Sequence, residues 1–219
     1  MMDARGTPVL PVGDSALLLR IGNEIDPDLN ERALHIAREL AAASLRGLRD
    51  IVVGYASVTV YFDPLAVEPA GVAEALRSHA ARPLPRRATP QRQVKIPAAY
   101  GGAAGPDLAD VAAFARCSED DVIALHLSRE YRVFMVGFLP GFPYMGIVDE
   151  RIAMPRRDTP RLAVPAGSIG VAGQQTGIYP VQSPGGWRLI GRTDEAMFDL
   201  DRSSPSLLRA GDLVRFVRA

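Results

Sequence analysis

Lysine is almost missing from this chain: Lys95 is the only one among 25 basic residues, the rest being arginine. No Gly-Lys-Ser/Thr triplet exists, which excludes a Walker A phosphate loop. Schiff-base chemistry would fall to Lys95, which sits in a strand-like QVKIP run. A single cysteine, Cys117, rules out an internal disulfide and a CxxC pair, and beside a helix start it reads as a small buried hydrophobe. The three histidines are not paired at helical spacing, so no metal site is expected. The 25 basic and 25 acidic residues cancel, which removes the overall field that nucleic acid or an anionic membrane would need. No run of about 18 apolar residues occurs, and the opening MMDARGTPVL lacks a basic segment followed by an apolar one, so the cytoplasm is the expected location. GxSxG, HExxH and GxGxxG are absent as well, and Gly167-Ser168-Ile169-Gly170 lacks the strand-to-helix context of a nucleophilic serine.

What is present suits a globular α+β protein: 219 residues, 47% hydrophobic and 23% charged, enough for one large or two small domains. Ala16 to Ile21 reads as a buried strand. Asp26-Pro27 then caps a helix with Leu29, Ala33, Ile36, Ala37 and Leu40 at helical spacing. Ile51 to Val53 and Val58 to Phe62 form a hairpin, and a second helix over about Pro69 to His79 turns Val72, Ala73 and Leu76 inward. Strand, helix, strand, strand, helix in that order predicts a small ferredoxin-like domain over residues 1–82. ARPLPRRATP breaks every periodicity and reads as a linker over residues 83–91. Residues 92–219 then form the second domain. It opens with a strand near Val94 to Ile96, followed by two short helices, one started by Gly105-Pro106-Asp107 and one capped by Ser118 with Asp121. His126 lies in the later helix. It can serve as an acid or base near neutrality, or simply pack in the core or lie on the helix surface.

Ten of the 20 glycines fall between Val133 and Thr193, interleaved with prolines and separated by apolar runs of strand length. Glycine permits positive φ and close backbone approach while proline fixes φ, so this stretch is short strands joined by defined turns, a closed or nearly closed barrel. Its charges are lopsided: Arg151, Arg156, Arg157, Arg161, Arg188 and Arg192 face only Asp149, Glu150 and Asp158. Singly, exposed arginines are ordinary; together they suit an anionic ligand or acidic partner. Gln174 and Gln175 sit in a glycine-bounded loop. With Phe138, Phe142, Tyr144, Tyr179 and Trp187 these groups read as a pocket lining, an anchor-rich interface, or core packing.

GFLPGFPYMG (Gly137 to Gly146), PRRDTPRLAVPAGSIGVAGQQTGIYP (Pro155 to Pro180) and SPGGWRLIGRT (Ser183 to Thr193) resemble the signature of the bacterial 5-oxoprolinase B subunit. The same family is called allophanate hydrolase subunit 1 and sporulation-kinase-inhibitor-like. YGGAAGPDLADVA and the Gly211-Asp212 turn extend the resemblance over nearly the whole chain. It implies an N-terminal α/β domain followed by a C-terminal cyclophilin-like β-barrel, and a subunit that opens 5-oxoproline to glutamate with subunits C and A. It also implies ATP held with the partner subunit, magnesium being allowed, and no metal site in this chain. Arg156, Arg161 and Arg192 would meet anionic groups while Gln174, Gln175 and Tyr179 orient them, with Phe138, Phe142, Tyr144 and Trp187 lining the pocket or interface. The alternatives are a histidine-kinase-binding inhibitor and a subunit of a urea-carboxylase-type carboxyltransferase.

Overall fold

A computed structural model describes residues 8–84 and 91–219. Two compact units divide the chain, residues 1–90 and 91–219. Most of the expected linker, residues 85–90, falls outside the described residues.

In the first unit, Asp26 has extended backbone and its side chain accepts from the amides of Asp28 and Leu29 at 2.9 and 2.8 Å. With Pro27 preset to helical φ, helix α1 starts there and runs Pro27–Ala42. Ala33, Ile36 and Leu40 are buried as the spacing predicts. So is Asn30, whose Nδ2 donates to the carbonyls of Gly54 and Tyr55 at 3.1 Å and so anchors the turn between two strands. Helix α2 (Pro69–Ala81) buries Val72 and Leu76. Strands β1 (Val9–Pro11), β2 (Ala16–Arg20), β3 (Leu48–Val53) and β4 (Ser57–Phe62) form one antiparallel sheet in the order β1-β2-β4-β3. The edge strand β1 escapes the sequence pattern because Val-Leu-Pro is too short to alternate and ends in proline. Leu19, Val58 and Val60 meet Ile36, Leu40 and Leu76 in one hydrophobic core.

The second unit is a closed barrel. Its strands are β5 (Gln93–Tyr100), β6 (Tyr131–Val136), β7 (Pro143–Gly146), β9 (Ser168–Ala172), β10 (Gln175–Ile178), β12 (Arg188–Arg192) and β13 (Leu213–Arg218), closing in the order β10-β7-β6-β13-β5-β12-β9. Only β13 and β5 run parallel. Two further strands, β8 (Arg161–Val164) and β11 (Ser183–Gly185), pair with each other as a separate flap. Helix α3 (Leu108–Ala115) packs on β12 and helix α4 (Glu119–Leu127) on β13. The Ser118 and Asp121 side chains satisfy each other's backbone amides in a full capping box, with three acids in the first turn on the positive end of the helix dipole. Ile96, Val111, Val122, Tyr131, Met145, Ile169, Ile178, Ile190 and Phe216 fill the interior. No described helix is long and apolar enough to cross a membrane.

Gly105 shows how closely α3 is laid on the barrel. A Cβ there would collide with the backbone carbonyl of Ile190 and come within 2.8 Å of the Gly101 nitrogen. Backbone cannot swing aside as a side chain can, so Gly105→Ala should lower stability by about 3 kcal/mol, read from urea unfolding curves with unchanged slope.

Candidate functional site

A cavity of about 750 Å³ opens on the outside of the barrel, where β9 and β10 carry glycine instead of side chains. A Cβ on Gly177 would meet the ring edges of Phe142 at 2.9 Å and Trp187 at 3.0 Å, and one on Gly170 would meet the Trp187 Cβ at 2.9 Å. Their absence lets both rings lie against the sheet. Phe142 is the hub: its centroid lies 4.8 Å from Tyr144, 5.2 Å from Tyr179, 5.5 Å from Trp187 and 5.7 Å from Phe138, each edge-to-face. Edge-to-face pairs set positive ring edges on negative faces, which fixes the rings as a rigid wall. Phe138 has φ +68°, a left-handed conformation that costs a phenylalanine about 1–2 kcal/mol, and it is 62% exposed.

Among the described residues, Arg156 is the only charged one in the lining, which otherwise offers Gln175 and the hydroxyls of Tyr144 and Tyr179. Burial raises the pKa of both tyrosines, and the Arg156 cation opposes the rise at each. They are therefore protonated donors at neutral pH, and the lining sets one cation within an apolar box. Its described lining holds no carboxylate and no histidine.

The loop and flap that wall this cavity are tied down by one carboxylate. Asp107, 2% exposed at the start of α3, accepts from Arg161 Nη2 at 2.6 Å, Arg157 Nη1 at 3.2 Å and the Leu189 amide at 2.7 Å. Its own amide donates to the Leu189 carbonyl. Burial pushes its pKa up, but the hydrogen bonds from Arg161 and Leu189 and the two cations outweigh that and hold it below the usual carboxylate range. Arg157 also donates its amide to the Gly186 carbonyl at 2.7 Å, closing the loop onto the flap. The second terminal nitrogen of Arg161, Nη1, is buried and has no acceptor among the described residues.

Of the residues singled out from sequence, Phe138, Phe142, Tyr144, Arg156, Gln175, Tyr179 and Trp187 line this cavity. Arg161 faces Asp107. Gln174, in the two-residue turn behind Gly173, lines a second cavity of about 490 Å³ with Arg129, Asp149 and Arg151. There Asp149 accepts from both arginines, and those hydrogen bonds strongly depress its pKa. Arg192 lies exposed at the end of β12. The three arginines expected to act together are thus in three different settings. Sequence reasoning missed the prolines Pro155, Pro160 and Pro184 of the cavity rim and the role of Asp107, which read only as a helix start.

His126 is inside the barrel, fully buried and stacked on Tyr131. Thr176 spends its one hydroxyl proton on the Gly170 carbonyl, so toward His126 Nε2, 3.1 Å away, its oxygen accepts. Nε2 therefore carries the proton, and Nδ1 accepts from the Tyr100 hydroxyl at 2.8 Å. Burial lowers this imidazole's pKa to about 3.

The chain matches, over residues 7–208, the family described as carboxyltransferase domain, subdomain C and D. It is 41% identical over 218 residues to the 5-oxoprolinase B subunit of Bacillus subtilis, covering 94% of this chain and 90% of that one. The chain belongs to the family of 5-oxoprolinase B subunits. The crystal structure of TTHA0988 superposes on this family member with a TM-score of 0.82 at 38% identity, covering 94% of this chain and 40% of that one; this chain spans about two fifths of that longer polypeptide. The urea amidolyase of Kluyveromyces lactis shares the fold at a TM-score of 0.81 and 19% identity, covering 100% of this chain and 15% of its own.

ATP with magnesium, which the family resemblance implies, does not fit the cavity of this oxoprolinase-family chain by itself. A triphosphate would meet one guanidinium, no lysine and no glycine-rich helix start, and the described lining has no carboxylate for a divalent cation. Among the described residues no group of three or more His, Cys, Asp or Glu side chains could hold a metal.

Two outcomes follow from these geometries. Asp107→Asn keeps the shape but leaves two arginines facing a neutral amide, so stability should fall by about 2–3 kcal/mol, and exchange of the Leu189 amide should accelerate in hydrogen-exchange spectra. For His126, the folded state stays neutral down to pH about 3 while the unfolded chain takes a proton below its ordinary value of 6.5. The unfolded state then binds more protons, so stability is full above that pH and falls as pH drops, by about 1 kcal/mol between pH 7 and 5.5. His126→Gln should be less stable at pH 7 yet lack this increment, so the gap between its unfolding curve and wild type should narrow by that amount at pH 5.5.

Proposed function

We propose that this chain is a non-autonomous subunit of an ATP-dependent 5-oxoprolinase, opening 5-oxoproline to L-glutamate with companion subunits C and A. The observation that carries the reading is a cavity whose described lining holds recognition groups but no carboxylate and no histidine, in a chain whose relatives over most of their length are named as one lettered subunit of that enzyme. Such a name calls for other subunits. The greater length of TTHA0988, of which this fold covers 40%, leaves room for a further segment beside it.

A five-membered lactam is a stable amide, and its opening needs an activated carbonyl oxygen and a water. Nothing in the described lining of this cavity generates either. What its residues do is bind and orient: Arg156 takes the carboxylate, the Phe142 and Trp187 rings cover the ring methylenes, and Gln175 or a tyrosine hydroxyl reaches the amide. Phosphate chemistry then belongs to the companion chains. In this reading the first unit is of ferredoxin-like type, its fourth strand supplied by β1 from the front of the chain, the barrel is cyclophilin-like, and the complex works in the cytoplasm.

A carboxyltransferase reaction is the second reading, favoured by the description of the matched family and by 34% identity over 83 residues to a putative urea carboxylase of Emericella nidulans. It would use the same anion-selective cavity for a carboxylated intermediate. The two separate in one assay of oxoproline-dependent ATP hydrolysis. The chain alone should show none and the reconstituted complex should turn over. Arg156→Gln should raise the KM for oxoproline about tenfold with kcat little changed. Turnover by the isolated chain, or by no combination of subunits, would sink the proposal.

A further inference from the structure

The second cavity of the barrel unit, about 490 Å³, has a chemistry unlike that of the aromatic one. Gln174 and Gln175 are neighbours in sequence, yet the first lines this cavity and the second lines the other, so the two are separate sites. Asp149 is buried, and its carboxylate accepts from Arg129 Nη2 at 2.9 Å, from Arg151 Nε at 2.8 Å and Nη2 at 3.1 Å, and from the Arg151 amide at 3.1 Å. A carboxylate offers about four lone-pair positions, so this one is full. Each guanidinium is only partly used: Nε and Nη1 of Arg129 and Nη1 of Arg151 have no acceptor among the described residues. Asp149 fastens both side chains at once and so fixes where those spare donors are held. Glu150 is the one other charge in the described lining; it is exposed, and its carboxylate makes no hydrogen bond or ion pair among the described residues. The pKa of Arg151 is raised, chiefly by its hydrogen bond to Asp149, and the Glu150 charge adds to the rise. Two cations against two carboxylates leave the lining neutral, but Asp149 is spent on the arginines. What remains for a ligand is a set of cationic donors beside a free carboxylate.

We propose that this cavity binds a free α-amino acid, whose carboxylate takes the spare donors of Arg129 and Arg151 and whose ammonium meets Glu150. A plain anion would gain the arginines but face Glu150 as a like charge, and a plain cation would gain Glu150 but face two guanidinium groups. A zwitterion satisfies both ends and keeps the site neutral. The Gln174 amide, also in the lining, can accept from the ammonium or donate to the carboxylate. Ile147 and Val148 supply apolar contact for the ligand's carbon atoms. The two arginine side chains are 44% and 61% exposed, so each contact is screened by water and recognition depends on several acting together. The inference stands apart from the reading of the aromatic cavity, since nothing in it requires oxoproline.

The test is an NMR titration of the full chain at neutral pH and constant ionic strength, with glycine and L-glutamate as the amino acids and acetate, glutarate and methylamine as the single-sign controls. The amides of Val148, Arg151 and Gln174 should shift and saturate with either amino acid, while each control binds about tenfold more weakly or less. Glu150→Gln removes no hydrogen bond of the fold, so it should keep the native spectrum, weaken both amino acids about tenfold and cancel their advantage over acetate. Arg129→Gln leaves the paired Arg151 and Asp149 in place and should weaken amino acids and acetate alike. Arg156→Gln, in the aromatic cavity, should bind the amino acids as wild type does. Acetate or glutarate binding wild type as tightly as the amino acids would overturn the proposal in favour of a simple anion site. Wild-type affinity in Glu150→Gln would overturn it too, as would the absence of saturable shifts with either amino acid at about 0.1 M. Shifts that centre on Trp187 and vanish in Arg156→Gln would place the amino acid in the other cavity and refute this one.

Discussion

One buried carboxylate organises the functional face. Asp107 gathers two guanidinium groups and a backbone amide from residues 50, 54 and 82 positions away in sequence. Desolvating a carboxylate is costly unless its lone pairs are filled, and here they are filled by the loop, the flap and β12 that must be held together to make a cavity. The flap belongs to no barrel strand order, so its position depends on this cluster and on the ring packing beneath it.

The same cluster explains what was legible in the sequence and what was not. Caps and stripes are local, and they were readable: Asp26-Pro27, the Ser118 and Asp121 box, and the spacing Ala33, Ile36, Leu40 all appear in place. Glycine spacing announced a closed barrel because each glycine answers to a steric demand of its own neighbourhood. The surplus of arginine over acid between Val133 and Thr193 was real as a count, yet it misled as chemistry. Its compensating acids, Asp107 and Asp110, come from outside that stretch, and no periodicity links them to it. Only Arg156 is left to the cavity. His126 was closer to being readable, since it follows Val122 by four residues and so shares the inner face of α4.

Rigid aromatic walls and a single cation line the cavity, and its described lining holds no carboxylate or histidine. Phe142 touches four other rings, so none of them can turn without disturbing the rest. Such preorganisation lowers the entropy cost of recognition.

The order β6-β13-β5 has a further consequence, for synthesis. The strand that joins the two halves of the barrel is the last one made, and it slots between partners completed about 80 and 115 residues earlier, long loops by the measure of closure entropy. Until it emerges, β5 and β6 present open edges to whatever else is nearby, while the four-stranded sheet of the first unit is already whole. A nascent chain therefore carries a finished module ahead of an unfinished one, and the interval before closure is when it is most exposed to mispairing.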